Sequence, residues 1–144
     1  MHRHWSKKEI RQFLEQYPFS SAILSKKSLV VESDEGLLID GSLCFQRAGD
    51  RWVPSLAVLR EHDFLPVVVV DKGAPPFLAK GADVMRPGVV RCEGSFSAGD
   101  LVVIVDETHH FPLATGEALC SSEELFRVPS GKVVRLLFNL VSKK

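Results

Sequence analysis

Four consecutive valines, Val67 to Val70, sit between Pro66 and Asp71. Such a run of β-branched side chains is stiff at χ1 and favours a strand. With no polar residue to alternate against, that strand has to be buried on both faces. It therefore needs partners on either side, and the downstream sequence supplies them. Val89 to Cys92, Leu101 to Asp106, Pro112 to Leu119 and Val133 to Leu140 read as short strands. Turn signals at Pro87-Gly88, Ala98-Gly99-Asp100 and Gly131 separate them. Short strands at regular spacing point to a small barrel.

Helical signals fall between these strands. Lys72 to Lys80 reads as one helix or a helical turn, with Pro75 and Pro76 near its start, where proline is tolerated. Gly81 follows as the residue that ends it in a left-handed conformation. Ser121 to Phe126 reads as a helical turn capped by Ser121 or Ser122, and Glu123 and Glu124 complement its dipole. Upstream, Ser6 and Glu9 fit a capping box, and Ile10, Phe13, Leu14 and Tyr17 recur on one helical face before Pro18 stops the helix. Short strands are expected at Ser28 to Glu32, Leu37 to Ile39 and Ser42 to Arg47, with turns at Asp34-Glu35-Gly36, Asp40-Gly41 and Ala48 to Arg51. A short helix over Ser55 to Glu61 completes this region. The fold class that results is α+β: a small α+β unit over 1–64, then a barrel-like unit over 65–144.

Charge narrows the function classes. The chain has 144 residues and a formal net charge of zero, so it is no simple polycation. Its charges are unevenly placed: residues 1–27 hold six Lys and Arg against two Glu, whereas residues 28–66 hold three basic against seven acidic side chains. The three cysteines, Cys44, Cys92 and Cys120, are far apart and lack a C-x-x-C spacing, so they read as reduced core thiols of a cytosolic protein. The segment Met1 to Lys8 has no apolar core and is not expected to be a signal peptide. The longest apolar run, Phe64 to Val70, is broken by Pro66 and is too short to span a bilayer.

The sequence contains no P-loop, no G-x-G-x-x-G, no H-E-x-x-H and no G-x-S-x-G. His109 and His110 are adjacent and have no further ligand at metal-binding spacing. No pair of residues demands a catalytic role, so neither an enzyme nor a cofactor or metal site is expected.

The most informative stretch is Asp71-Lys72-Gly73-Ala74, followed by Gly81-Ala82-Asp83-Val84-Met85-Arg86-Pro87-Gly88-Val89 and, later, Gly116-Glu117-Ala118-Leu119-Cys120-Ser121-Ser122-Glu123-Glu124. These three segments, in this order, resemble the PUA domain, a module of pseudouridine synthases, archaeosine transglycosylases and translation factors. Leu37 to Gly41 and Pro54 to Leu59 extend the resemblance to the malignant-T-cell-amplified family, whose short archaeal members carry a pre-PUA domain before the PUA domain. The resemblance implies a pre-PUA domain at 1–64 and a PUA pseudo-barrel at 65–144. It implies a cytoplasmic, non-catalytic protein of translation or tRNA and rRNA maturation. Its partners would be RNA, the small ribosomal subunit and a translation-factor protein. It also implies an RNA groove at Lys72, Gly73, Ala74, Lys80, Gly81, Ala82, Arg86 and Gly116.

Chemistry gives those positions their expected roles. Gly81 lets another backbone approach, and the turn it makes is expected to offer backbone N–H groups to phosphate or to a base edge. Lys72, Lys80 and Arg86 flank that turn as phosphate partners, with an Arg86–Asp83 pair as the structural alternative. Phe77 and Leu78 are expected to pack beneath the helix, and Val84 and Met85 in the core. Arg3, Lys7, Lys8 and Arg11 form a basic face on the first helix, either a contact to ribosomal RNA or a solvated surface. Trp52 is expected in the core and Trp5 as an anchor for the helix. The rival functional reading is an adaptor that recruits a translation factor through the N-terminal unit.

Overall fold

The computed structural model describes residues 2–140. The chain divides into two compact units, Met1–Val58 and Leu59–Lys144. Residues 59–64 go with the second unit, because the Arg60 guanidinium lies 4.8 Å over the Phe111 ring. Leu59 and Phe64 also line a small cavity together with Val103, Val105 and Pro112.

The first unit is an antiparallel meander covered by one helix. Its strands are β1 (Arg3–His4), β2 (Val30–Glu32), β3 (Leu37–Ile39), β4 (Ser42–Ala48) and β5 (Arg51–Pro54), hydrogen-bonded in that order. Helix α1 (Lys7–Gln16) begins with the expected capping box: Glu9 N–H donates to Ser6 Oγ at 3.2 Å, and Ser6 N–H donates to Glu9 Oε1 at 2.9 Å. Pro18 opens a short 3-10 turn that ends the helix. Phe13 meets Phe45 edge-on at 5.0 Å, and the Tyr17 hydroxyl accepts the Trp52 backbone N–H at 3.0 Å. Trp52 is buried, and Trp5 ties the helix start down, packing on Phe13 at 5.6 Å and donating to Glu32 Oε1 at 3.0 Å. Arg3 is engaged internally, with Glu9 at 2.7 Å and Glu32 at 2.9 Å, so the basic face of α1 reduces to Lys7, Lys8 and Arg11. Strand β5 lies where a turn and a loop were expected. Pro54 conceals it in the sequence, yet proline is tolerated there because β5 is an edge strand.

The second unit is a curled six-stranded sheet. Its strands are β6 (Val67–Val70), β7 (Val84–Met85), β8 (Val89–Glu93), β9 (Leu101–Asp106), β10 (Pro112–Ala118) and β11 (Lys132–Asn139). Their order across the sheet is β7-β11-β10-β9-β6-β8. Strand β6 pairs in parallel with β9 and antiparallel with β8, and Val68, Val69 and Val70 are fully buried, as a central all-valine strand requires. Register shifts in β6, β10 and β11 bend the sheet on itself. The core inside the curl includes Val68, Val70, Leu78, Ile104, Leu125 and Val134. A one-turn helix, α2 (Leu56–Leu59), follows β5 in the chain, and the short helices α3 (Pro75–Ala79) and α4 (Ser122–Leu125) lie between strands of the second unit. Ser121 caps α4 through a full capping box. Among the described residues no helix is long and apolar enough to cross a membrane.

Gly116 occupies the bulge of β10, where the strand must pass close to β11. A Cβ there would lie 2.5 Å from Val134 Cγ1 and 2.8 Å from the backbone oxygen of Arg135. The backbone oxygen cannot rotate away, so Gly116→Ala is expected to destabilise the fold by about 1–3 kcal/mol. Gly88 has open space around its hydrogen, so Gly88→Ala serves as the control and is expected to leave the urea midpoint essentially unchanged. Equal midpoints for the two variants would show that the β10–β11 approach is not tight.

Candidate RNA-binding cleft

Strand β6 ends at Val70, and the chain turns sharply into α3. Asp71 Oδ1 accepts the Gly73 N–H at 3.0 Å, and Ala74 N–H donates to Asp71 O at 3.1 Å. Lys72 N–H donates to Glu107 Oε2 at 3.0 Å, which fixes the same turn to the loop after β9. Helix α3 is only five residues long. Of the helix or helical turn expected over Lys72 to Lys80, the short form is found, because Lys72 to Ala74 build this turn instead.

The far end of α3 closes on itself. Gly81, at φ +92°, sends its N–H to Leu78 O at 3.0 Å, and Ala82 N–H reaches Phe77 O at 3.0 Å. This paired closure is the usual glycine-terminated helix end. It consumes the amides expected to meet phosphate. The turn therefore carries no free donors at Gly81 or Ala82, and any anion must be met by side chains.

Between α3, the turn at Asp71 and strand β7 lies a cleft of about 380 Å³. Its walls include Ala74, Phe77, Leu78, Val84 and Met85, with Gly73, Ala82 and Gly88 contributing backbone surface. The lining is predominantly apolar, and two carboxylates, Asp71 and Asp83, stand at its edge. Asp83 Oδ1 accepts the Leu136 N–H at 2.8 Å, and Oδ2 pairs with Lys132 at 3.2 Å. The Leu136 amide, aided by Lys132, holds the Asp83 carboxyl below its ordinary value.

The eight expected site residues thus fall into three groups. Gly73, Ala74 and Ala82 line the cleft. Lys72, Lys80 and Gly81 are exposed beside it, and neither lysine forms an ion pair among the described residues. Arg86 and Gly116 stand apart. Arg86 donates to Val89 O at 3.2 Å and lies 4.8 Å over the Phe126 ring, half-buried, so it works as a packing element rather than a free cation. It does not pair with Asp83, whose partner is Lys132. Gly116 is buried within β10 and presents no surface.

Two apolar residues face the opposite way from expectation. Leu78 and Val84 are buried, but Phe77 is 63% exposed and Met85 46% exposed. Helix α3 is too short to hide both Phe77 and Leu78, since adjacent residues face different directions. The same alternation turns Met85 outward on β7.

Comparisons with known proteins decide the family. The PUA domain family matches residues 66–140. The chain is 34% identical over 138 residues to an uncharacterised protein of Methanocaldococcus jannaschii, covering 91% of this chain and 82% of that one. It is 33% identical over 135 residues to malignant T-cell-amplified sequence 1 of Rattus norvegicus, covering 83% and 74%. The chain belongs to the malignant-T-cell-amplified family of PUA-domain proteins. A further relative is translation machinery-associated protein 20 of Saccharomyces cerevisiae, 31% identical over 109 residues, covering 71% of this chain and 60% of that protein. The fold agrees with that of a hypothetical protein from Pyrococcus horikoshii, at a TM-score of 0.87 and 30% identity over 99% of this chain and 96% of that one. In this PUA domain the cleft beside α3 joins the matched segment's first two motifs, Asp71 to Ala74 and Gly81 to Val89.

Carboxylates that accept backbone amides set the acid stability of the PUA domain. Asp83 is held low by the Leu136 amide and Lys132. Burial pushes the Asp106 carboxyl up, but the His109 and Phe111 amides outweigh that push and hold it low as well. A depressed carboxyl stabilises the fold above its unfolded pKa, and that contribution disappears as pH falls through the folded value. The urea midpoint is expected to hold at about pH 5 and to fall as pH drops below about 4, the ordinary carboxylate value. Asp83→Asn should lower the midpoint at neutral pH and flatten part of the acid fall. A parallel acid profile for the variant would refute the role given to Asp83.

Proposed function

We propose that this protein is a non-catalytic, cytoplasmic RNA-binding protein of translation, with the cleft beside α3 as its RNA contact. The observation that carries the reading is a pair of exposed lysines without ion pairs, Lys72 and Lys80, flanking an apolar cleft in a PUA domain. Lysines left unpaired among the described residues can neutralise phosphate without first losing a carboxylate partner. The apolar wall suits the flat face of a base rather than its phosphate. The kinship with translation machinery-associated protein 20 supports a place in translation. The RNA would be tRNA or rRNA, and the partners the small ribosomal subunit and a translation-factor protein. In this reading Lys72 and Lys80 hold phosphates, and Gly73, Ala74, Gly81 and Ala82 keep the cleft mouth free of side chains that would block it.

The test is tRNA binding by the full chain, measured as a function of salt. Lys72→Glu/Lys80→Glu is expected to weaken binding roughly tenfold or more, because a hydrogen bond to a charged group is worth about 1.5–3 kcal/mol. The salt dependence should become shallower by about 0.7 for each phosphate that is no longer neutralised. Arg86 is left unaltered, since its packing on Phe126 would confound the result. Unchanged affinity together with an unchanged salt slope would defeat this reading.

A further inference from the structure

Of the arginines of the second unit, Arg86 is half-buried and bonded to Val89 O, and the others are exposed. Arg91 lies 3.2 Å from Glu93, and Arg135 bonds Glu117. Arg60 forms no ion pair among the described residues, although it is exposed. Its guanidinium is held instead at 4.8 Å over the ring of Phe111, which is itself 38% exposed. A guanidinium parked on an aromatic face keeps its planar orientation and its edge N–H donors.

The loop that presents Phe111 is fixed from several sides. Asp106 Oδ1 accepts the Phe111 N–H at 2.8 Å, and Oδ2 accepts the His109 N–H at 2.7 Å. His110 donates its N–H to Asp106 O at 3.0 Å and meets Glu93 Oε1 through Nε2 at 2.9 Å. His110 takes φ +55°, the left-handed region that side chains other than glycine enter at a cost. Residues held this way concentrate at functional loops. Asp106 spends both carboxylate oxygens on this loop, on the two amides and, at 3.5 Å, on His109 Nδ1. His109 points out, with 81% of its side chain exposed.

This surface continues the cleft around the start of α3. Pro75, the first residue of α3, lines a shallow groove of about 560 Å³ together with Asp106, His109, Phe111 and Leu113. Ala74, one residue earlier, lines the cleft. Lys72 precedes both in the chain and is exposed, its backbone N–H donated to Glu107 Oε2.

We propose that Arg60, Phe111 and His109 form a second RNA contact, which takes an unpaired base and its phosphate from the same strand whose neighbouring nucleotides occupy the α3 cleft. The proposal rests on the RNA-binding reading of that cleft. The base stacks on the outer face of the Arg60–Phe111 pair, and the guanidinium edge and His109 face the phosphate. The chemistry favours RNA over an acidic peptide, because a flat cation stacked on a ring offers a plane as well as a charge.

The experiment titrates the full chain with single-stranded RNAs of about 4 and about 12 nucleotides, bracketing the reach of one small binding domain. Phe111→Ala and Arg60→Glu are expected to weaken binding of the longer RNA roughly tenfold, the scale of one base–aromatic stack. Binding of the shorter RNA should be unaffected, and Phe111→Trp should retain full affinity for the longer one. Urea midpoints matching the unaltered chain establish that each variant is folded. If Lys72→Glu/Lys80→Glu weakens binding while Phe111→Ala and Arg60→Glu do not, the second contact is overturned and the cleft reading stands. If the unaltered chain binds neither RNA, the cleft reading falls and this one falls with it. A polyglutamate peptide that binds in a Phe111-dependent way, when the longer RNA does not, overturns the proposal in favour of a protein partner.

Discussion

The parallel pairing of Val67–Val70 with Val103–Asp106 governs where everything else in the PUA domain can lie. Two parallel strands end at the same edge of a sheet, so the loops that leave them are neighbours. Here those loops are the turn at Asp71 and the turn at Glu107. Glu107 N–H donates to Val70 O at 3.0 Å, and its side chain accepts from Lys72. The cleft beside α3 and the Arg60–Phe111 surface thus arise at one edge from one pairing. Parallel strands need a crossover, and the chain between β6 and β9 provides it while also building α3, β7 and β8. The segment that closes the sheet is therefore the same segment that forms the cleft.

Much of this was legible in the residues. The valine run specified a central strand, and the Ser6–Glu9 box, Pro18 and Gly81 marked helix ends at the right places. The strands Leu101–Asp106 and Leu37–Ile39 needed no correction, because each is bounded by strong turn residues. Legibility failed where an element is two residues long or ends on a proline. Strands β1 and β7 have too few residues to show alternation, and β5 ends on Pro54. Their pairing comes from tertiary contact, which no local pattern records. At the site, the residue types were readable but not their directions. Alternation says that one of Phe77 and Leu78, and one of Val84 and Met85, faces out, but not which; the glycine-terminated closure at Gly81 already implied that its amides are bonded. Arg60 and Phe111 meet only through the fold, and their pairing has no sequence signature at all.

Closing the Gly81 turn changes the kind of binding this cleft can support. Backbone amides aimed at a ligand would give directional contacts of fixed position. Lysine side chains on flexible stems give charge without fixed geometry. In the proposed reading, such a cleft would hold a backbone of phosphates loosely and leave discrimination to whatever enters the apolar space. Asp71 and Asp83 then act less as repulsive charges than as struts, since each already accepts a backbone N–H.

Helix α3 illustrates how so small an element can still be a platform. Five residues cannot form a stable helix alone. Two prolines at the start fix φ in advance, and Leu78 is buried in the core. The last carbonyls of a helix carry partial negative charge, which would repel a phosphate beside them. Asn139 answers this by donating Nδ2–H to Leu78 O at 2.8 Å and to Ala79 O at 3.5 Å. The Gly81 and Lys80 amides take up the Leu78 and Phe77 carbonyls as well. With its negative pole occupied by donors from β11 and from its own closing turn, α3 can present Lys80 to an anion without opposing it. A buried asparagine on the final strand, far from the cleft in sequence, thereby occupies carbonyls at the helix end beside the cleft.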